Sequence, residues 1–364
     1  MILHRYFARR FFFAFLGVFT IFLLILTFIG LVDQLRRFSG DEVTFGQILI
    51  LALLNIPQGI YRILPLIMII ATIALFLSLA RSSELVVTRA AGRSALRALS
   101  APLLVALTLG IAAIAILNPI VAATTQQYEL RSSDLRGEGS ALILGETGLW
   151  LRQGGSGEQT VIRAAGSNLD GTELSNVTFL TFAGESGPLR RIEAERAALV
   201  AGAWALTNAK SWPLDRDIVP EAAATDHDSL RIPSTLTADE IRNSFGTPSS
   251  IPIWELPAFI DRLQSAGFSA QRHQVWFQME LALPVFLVAM VMIGASFTLR
   301  HQRGGRTGVM IMLAILLSFA IYFLRNFAQI LGENGQLPAM LAAWAPPLAA
   351  IGLAMGMLLH QEDG

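Results

Sequence analysis

The chain has 364 residues, 53% of them hydrophobic and 15% charged, with a formal net charge of zero and a mean hydropathy of +0.55. Soluble domains carry nearer a quarter charged residues, so this composition points to the bilayer. Without cysteine there is no disulfide, thiol nucleophile or cysteine zinc site, and the one lysine, Lys210, follows Ala209 where a Walker A loop needs glycine, so any ATP-driven work needs a separate subunit.

Phe11–Val32 is an apolar run of about 22 residues, enough to cross a ~30 Å hydrocarbon core. His4, Arg5, Arg9 and Arg10 precede it, as in a signal peptide. The run is too long for a signal h-region and no small-x-small site follows, so it reads as an uncleaved first span. The stretch Ile48–Ala80 is interrupted by Pro57, Arg62 and Pro65. It divides into an interfacial helix over Ile48–Ile60 and a second span over Ile63–Ala80. Pro102–Ala122 supplies the third span.

The polar stretch that follows reads as β. Ala141–Leu144, Leu149–Arg152, Thr160–Ala164, Val177–Phe182 and Leu189–Ala194 are short runs rich in Leu, Val, Ile, Thr and Phe. Gly, Asn, Asp and Ser clusters punctuate them, which suggests a sandwich or jelly roll. Over Pro252–Gly267, Trp254, Leu256, Phe259, Ile260 and Leu263 follow helical spacing and predict an amphipathic helix leading back to the membrane. Val275–Leu299, Gly308–Leu331 and Leu337–Leu359 supply three more spans. The predicted fold is thus a membrane α-helical protein, three spans plus three, with an inserted all-β jellyroll-like domain. Its parts are an N-terminal membrane half over 1–125, the β domain with its amphipathic helix over 126–268, and a C-terminal membrane half over 269–364.

Charge in the short loops sets orientation. Arg81, Arg89, Arg93 and Arg97 lie between spans two and three, and Arg300, Arg303 and Arg306 between four and five. With the N-terminal arginines, these faces are cytoplasmic by the positive-inside rule. Both termini then lie inside and the β domain outside, which six spans permit.

Conventional catalytic motifs are missing: there is no HExxH, GxSxG or dinucleotide loop, and a hydrolase is not expected. The five histidines are scattered, and Asp226-His227-Asp228 reads as a solvated, turn-like stretch rather than a metal site. No cofactor, metal or nucleic-acid partner is expected. Arg325 lies within the fifth span beside Asn326 and one turn before Gln329. A charge at mid-bilayer costs on the order of 2.5–3.5 kcal/mol by insertion scales, so it faces protein or a wet cavity. Two readings stay open: contact with an anionic headgroup, or an ion pair with an acid such as Glu333.

Between spans two and three, Leu85, Thr88 and Ala91 share a helical face, Ser82 or Ser83 can cap its start, and Glu84 sits in the first turn. Gly92 can end that helix in a left-handed conformation. Spacing alone allows two readings: a positive loop that sets topology, or a coupling helix that docks on a cytoplasmic motor.

The order Ser82-Ser83-Glu84-Leu85 … Arg89-Ala90-Ala91-Gly92-Arg93-Ser94, after a span containing Leu64-Pro65-Leu66-Ile67-Met68, resembles the LptF/LptG permease family of the bacterial lipopolysaccharide exporter. The likeness spans essentially the whole chain. It takes in Leu31-Val32-Asp33-Gln34-Leu35, the helix Glu255–Gly267 leading to Pro284, Leu337-Pro338, and Leu341-Ala342-Ala343-Trp344-Ala345-Pro346. Arg89-Ala90-Ala91-Gly92 and the Leu-Ala-Ala-Trp-Ala-Pro run are nearer its LptG than its LptF members. The resemblance implies an inner-membrane subunit of an ABC exporter that does no covalent chemistry itself. It also implies a paralogous LptF-like permease, an LptB-like ATPase dimer and LptC- and LptA-like periplasmic proteins as partners, with lipopolysaccharide as cargo. Glu84 then stands at the coupling-helix acid, with Leu85, Thr88 and Arg89 on the same helix. Arg36 and Arg37 stand where family members place cations for lipid A phosphates, as arginines where relatives often have lysine. Arg62 is a further candidate, or else an interface residue snorkelling to the headgroups. The alternatives are a membrane-anchored scaffold with a periplasmic binding domain, or a permease for another lipid or lipoprotein.

Overall fold

The computed structural model describes residues 2–38, 43–82, 84, 95–136, 142–145, 148–154, 158–168, 171–183, 187–214, 219–234, 236–237, 241, 247–265, 269–299 and 307–363. It divides into two compact units, a membrane unit (Met1–Ser132, Ser249–Leu256 and Gln271–Gly364) and a β unit (Ser133–Pro248 and Pro257–Ala270).

In the membrane unit the apolar runs form helices of bilayer length, and among the described residues six are long and apolar enough to cross a membrane. Helix α1 covers Ile2–Arg37. Helix α2 covers Phe45–Arg62 and opens on a capping contact, the Thr44 backbone N–H donating to Gln47 Oε1 at 2.9 Å. The chain breaks at Ile63, and Pro65 lies in the first turn of α3 (Leu64–Arg81), where its missing N–H costs nothing. Helix α4 (Ala95–Ala112) passes through a π-helical turn, Ala113–Leu117, into α5 (Asn118–Arg136). The helix therefore continues past 125, the end of the membrane half in the sequence reading. Gln126, Gln127, Glu129 and Arg131 are polar but favour helix, so the change to polar residues does not end the helix. Helix α6 (Leu256–Ser265) falls, apart from Leu256, within the β unit, and the membrane unit resumes with α7 (Gln271–Thr298), α8 (Thr307–Glu333) and α9 (Ala339–Asp363).

Helix α7 forms the centre of the bundle: 72% of its apolar window is buried within the chain, against 6% for α1 and 17% for α8. Small residues let neighbours approach it, as expected where lipid offers no hydrophobic drive for helix association. At Gly110 of α4 an added Cβ would lie 2.5 Å from Pro284 Cα, so only glycine fits that crossing.

The β unit is one antiparallel sheet in sequential order. Its strands are β1 (Leu142–Gly145), β2 (Gly148–Gly154), β3 (Glu158–Ser167), β4 (Glu173–Ala183), β5 (Pro188–Val200), β6 (Ala203–Pro213) and β7 (Thr225–Pro233). Strands β6 and β7 add to the segments legible in sequence. Asp226-His227-Asp228 lies in β7, where Asp226 pairs in register with Lys210 and His227 with Ala209. The turn-like reading of that stretch is corrected: its polar residues belong to an edge strand with few buried positions. Asn176 and Asn208, at φ 49° and 52°, interrupt β4 and β6 on either side of β5. Asparagine tolerates this left-handed conformation, and such interruptions kink and twist a sheet. The sheet curls until β2 faces β6 and β7. Trp204 Nε1 donates to Gln153 Oε1 at 3.2 Å, and Gln153 Nε2 donates to the Pro233 carbonyl at 3.1 Å. Leu151, Ile162, Val177, Phe179, Ile192, Trp204 and Leu206 fill the enclosed face. This is the expected inserted all-β domain, built as a curled meander.

Candidate functional site

Several polar residues of the membrane unit line one cavity of about 300 Å³. Its lining includes Tyr61 and Arg62 from α2, Trp276 and Glu280 from α7, and Tyr322, Arg325, Asn326 and Gln329 from α8. The break at Ile63 ends α2 beside the bundle, which gives Tyr61 and Arg62 this position. Tyr322, Arg325, Asn326 and Gln329 recur at three- and four-residue spacing, so they form one polar stripe on α8.

Glu280 is 2% exposed. Its Oε2 accepts a hydrogen bond from Tyr61 Oη and another from Asn118 Nδ2 at 3.0 Å. Asn118 stands where the π-helical turn passes into α5, and its Oδ1 accepts the Ile253 backbone N–H at 2.9 Å. The acid is thus held by two neutral donors. Arg325 is half-buried, its guanidinium carbon 5.2 Å from the centre of the Phe286 ring. Among the described residues no carboxylate oxygen lies within 4.0 Å of it, and its N–H groups make no hydrogen bond. The indole N–H of Trp276 is buried and likewise lacks a partner among the described residues. The cavity therefore presents open donors and two cations, Arg62 and Arg325, to whatever enters it.

The structure brings Arg62 and Arg325 together and leaves Arg36 and Arg37 apart from them. Those two are exposed at the end of α1, where Arg37 Nη1 and Gln34 Nε2 both donate to Tyr128 Oη at 3.1 Å. Glu333 is not the acid beside Arg325. It lies two turns further along the same helix and accepts from Gln329 Nε2 at 2.8 Å, so the ion pair suggested from sequence is replaced by one helical turn of hydrogen bonding. The acid that shares the cavity is Glu280, which the sequence reading missed. A single carboxylate inside the apolar run Val275–Leu299 was the available signal, since intramembrane charges are rare and placed for a reason. Tyr61 and Asn118 carried no such signal, because only the fold reveals what they face.

At the other candidate site, Glu84 accepts from Tyr6 Oη at 2.8 Å and pairs with Arg10 Nη1 at 3.0 Å. Slight burial pushes its carboxyl up, but hydrogen bonds from Tyr6 and Ser82 and the Arg10 charge outweigh that and hold it below the ordinary glutamate value. Leu85, Thr88 and Arg89 lie outside the described residues.

Six spans, a polar cavity lined by open cations and an inserted β domain define a membrane subunit of the permease class. The sequence model of the family described as lipopolysaccharide export system permease LptF/LptG matches residues 5–360, and the chain belongs to that family. It is a multi-pass inner-membrane protein and a transporter subunit. Among its relatives is the lipopolysaccharide export system permease protein LptG of Haemophilus influenzae (strain Rd), 25% identical over an alignment 366 positions long, gaps included, that covers 94% of this chain and 96% of that protein. The protein of the same name from Escherichia coli (strain K12) is 23% identical over 343 residues, 92% of this chain and 91% of that protein.

Proposed function

We propose that this chain is one half of a lipopolysaccharide extractor, paired with an LptF-like paralogue and driven by a separate LptB-like ATPase. The observation that carries the reading is Arg325, a cation within the span bundle whose donors open onto a cavity that also contains Arg62. A charge kept inside an apolar bundle needs a use, and a phosphorylated lipid headgroup offers one.

Two exposed stripes support a partner. On α1, Ile21, Leu24 and Phe28 are 58%, 66% and 69% exposed, and on α8, Leu316, Phe323 and Phe327 are 64%, 64% and 58% exposed. Such stripes suit the spans of a paralogue and the acyl chains of cargo, with α1 and α8 as lateral gates. Arg36 and Arg37 meet phosphates at the outer end of α1. The segment around Glu84, with Leu85, Thr88 and Arg89, couples to the motor. The positive-inside rule puts it in the cytoplasm with both termini, and puts the β unit in the periplasm. There the curled sheet receives acyl chains and passes them towards LptC- and LptA-like proteins.

Photocrosslinkers at positions 36, 37 and 325 in the full complex test the cargo. Labelling of lipopolysaccharide is expected, and labelling of phospholipid alone rejects it in favour of another lipid. Glu84→Arg tests coupling: it should abolish co-purification of the ATPase, and unchanged co-purification and extraction would leave a membrane-anchored scaffold as the better reading.

A further inference from the structure

Glu280 has a burial and a geometry that a purely structural acid does not explain. Tyr61 Oη and Asn118 Nδ2 both address Oε2, while among the described residues Oε1 takes no hydrogen bond. Neutral donors satisfy lone pairs but cannot cancel a charge, and an uncompensated carboxylate in a bundle is costly. Arg325 lines the same cavity. Yet the two do not touch, because no carboxylate oxygen comes within 4.0 Å of the guanidinium among the described residues. Two hydrogen bonds engage the acid, and the guanidinium carbon lies 5.2 Å from the centre of the Phe286 ring. The arrangement sets an acid across the cavity from Arg325 without spending any of the guanidinium's five N–H donors.

We infer that Glu280 is a positioning residue that tunes the anion affinity of Arg325, held at a distance by Tyr61 and Asn118 so that a phosphate, and not Glu280, takes up the guanidinium. The inference rests on the headgroup reading of Arg325 proposed above. Its consequence is a site that binds an anion and can release it. A bare arginine in a low-dielectric cavity would hold a phosphate too tightly for turnover, and one already in a bidentate ion pair would scarcely bind it.

The two supporting contacts predict shifts of opposite sign. Glu280→Gln keeps an oxygen for Tyr61 and Asn118 to donate to, and removes the opposing charge. Tyr61→Phe frees the carboxylate to swing onto Arg325 and occupy its donors. In the complex purified with its partner subunits, the affinity for added lipopolysaccharide should rise at least tenfold in Glu280→Gln, the effect of one unit charge about 12 Å away at an effective dielectric of ~20, and more at any shorter distance. It should fall about threefold in Tyr61→Phe, in proportion to the population of the new ion pair. Neither substitution should matter in an Arg325→Gln background. Shifts of the same sign, or shifts that survive Arg325→Gln, overturn the inference and identify Glu280 as a structural residue. If Arg325→Gln alone leaves lipopolysaccharide binding unchanged, the headgroup reading fails first and this inference fails with it.

Discussion

Two acids in this molecule are held by the same kind of clamp and put to different use. Glu84 takes a hydrogen bond from Tyr6 and an ion pair from Arg10. Glu280 takes hydrogen bonds from Tyr61 and Asn118, while the nearby arginine stands off. The first acid is partly exposed, with 30% of its side chain accessible, and the second is buried. Water makes the difference. At the surface an arginine can pair with the acid and leave it again at little cost, because solvent replaces what is lost. Inside the bundle a lost partner is not replaced, so neutral groups that cannot leave do the holding. The surface clamp thus suits an acid that must change partners, and the buried clamp suits one that must stay put.

The largest expected effect is at Asn118, which serves two elements at once. Asn118→Leu leaves the Glu280 carboxylate with one donor and the Ile253 N–H with no acceptor. The loss should be about 3–5 kcal/mol, as for other broken buried charge networks, read as a lowered unfolding midpoint of the full chain in detergent. Tyr61→Phe should cost less, about 1.5–3 kcal/mol for one hydrogen bond to a charged group. If Arg10→Gln at the surface clamp costs as much as Asn118→Leu, the contrast between the two acids fails.

That contrast was only half legible in the sequence. Long apolar runs, arginine placement and Pro65 marked the spans and the break after α2, because hydrocarbon thickness and backbone chemistry act locally. Arg62 and Arg325 stood out as charges near or within spans, and the structure brings both to one cavity. Arg36 and Arg37 were candidates through the family resemblance and lie apart from that cavity, since a likeness in sequence does not say which faces meet. Glu280 carried the same signal and was passed over. Tyr61 and Asn118 were beyond reach, because their meaning lies in a contact across 219 and 162 residues of chain. Strands β6 and β7 escaped for another reason. Ala203–Pro213 is rich in Ala, and Thr225–Pro233 is polar, so neither has the β-branched alternation of β4.

Salt separates the clamps next. At 1 M ionic strength the screening length is about 3 Å, so the coupling between Arg10 and Glu84 should vanish while that between Asn118 and Glu280 persists. Double-mutant cycles run at low and high salt measure both. Equal loss at the two sites would mean that water and ions reach Glu280, and the cavity would then be an open vestibule.

The smallest effect is the pH dependence of the surface clamp, whose sign is fixed. The Glu84 carboxyl titrates below the ordinary value of 4.5 in the folded chain, because the hydrogen bonds and the Arg10 charge outweigh its slight burial. An acid that holds its proton less tightly when folded stabilises the fold above its unfolded pKa, and that contribution is lost as pH falls through the folded value. The Arg10–Glu84 coupling should therefore be about 0.2–1 kcal/mol at pH 7, as for partly exposed ion pairs, and should disappear in acid below pH 4.5. A cycle of Arg10→Gln and Glu84→Gln measured at the two pH values checks it. A coupling that grows in acid would reverse the sign and mean that protonated Glu84 is the form the clamp prefers. Glu84 would then give up Tyr6 and Arg10 less readily when charged partners are offered to it, and the exchangeable clamp would be the wrong description of the surface site.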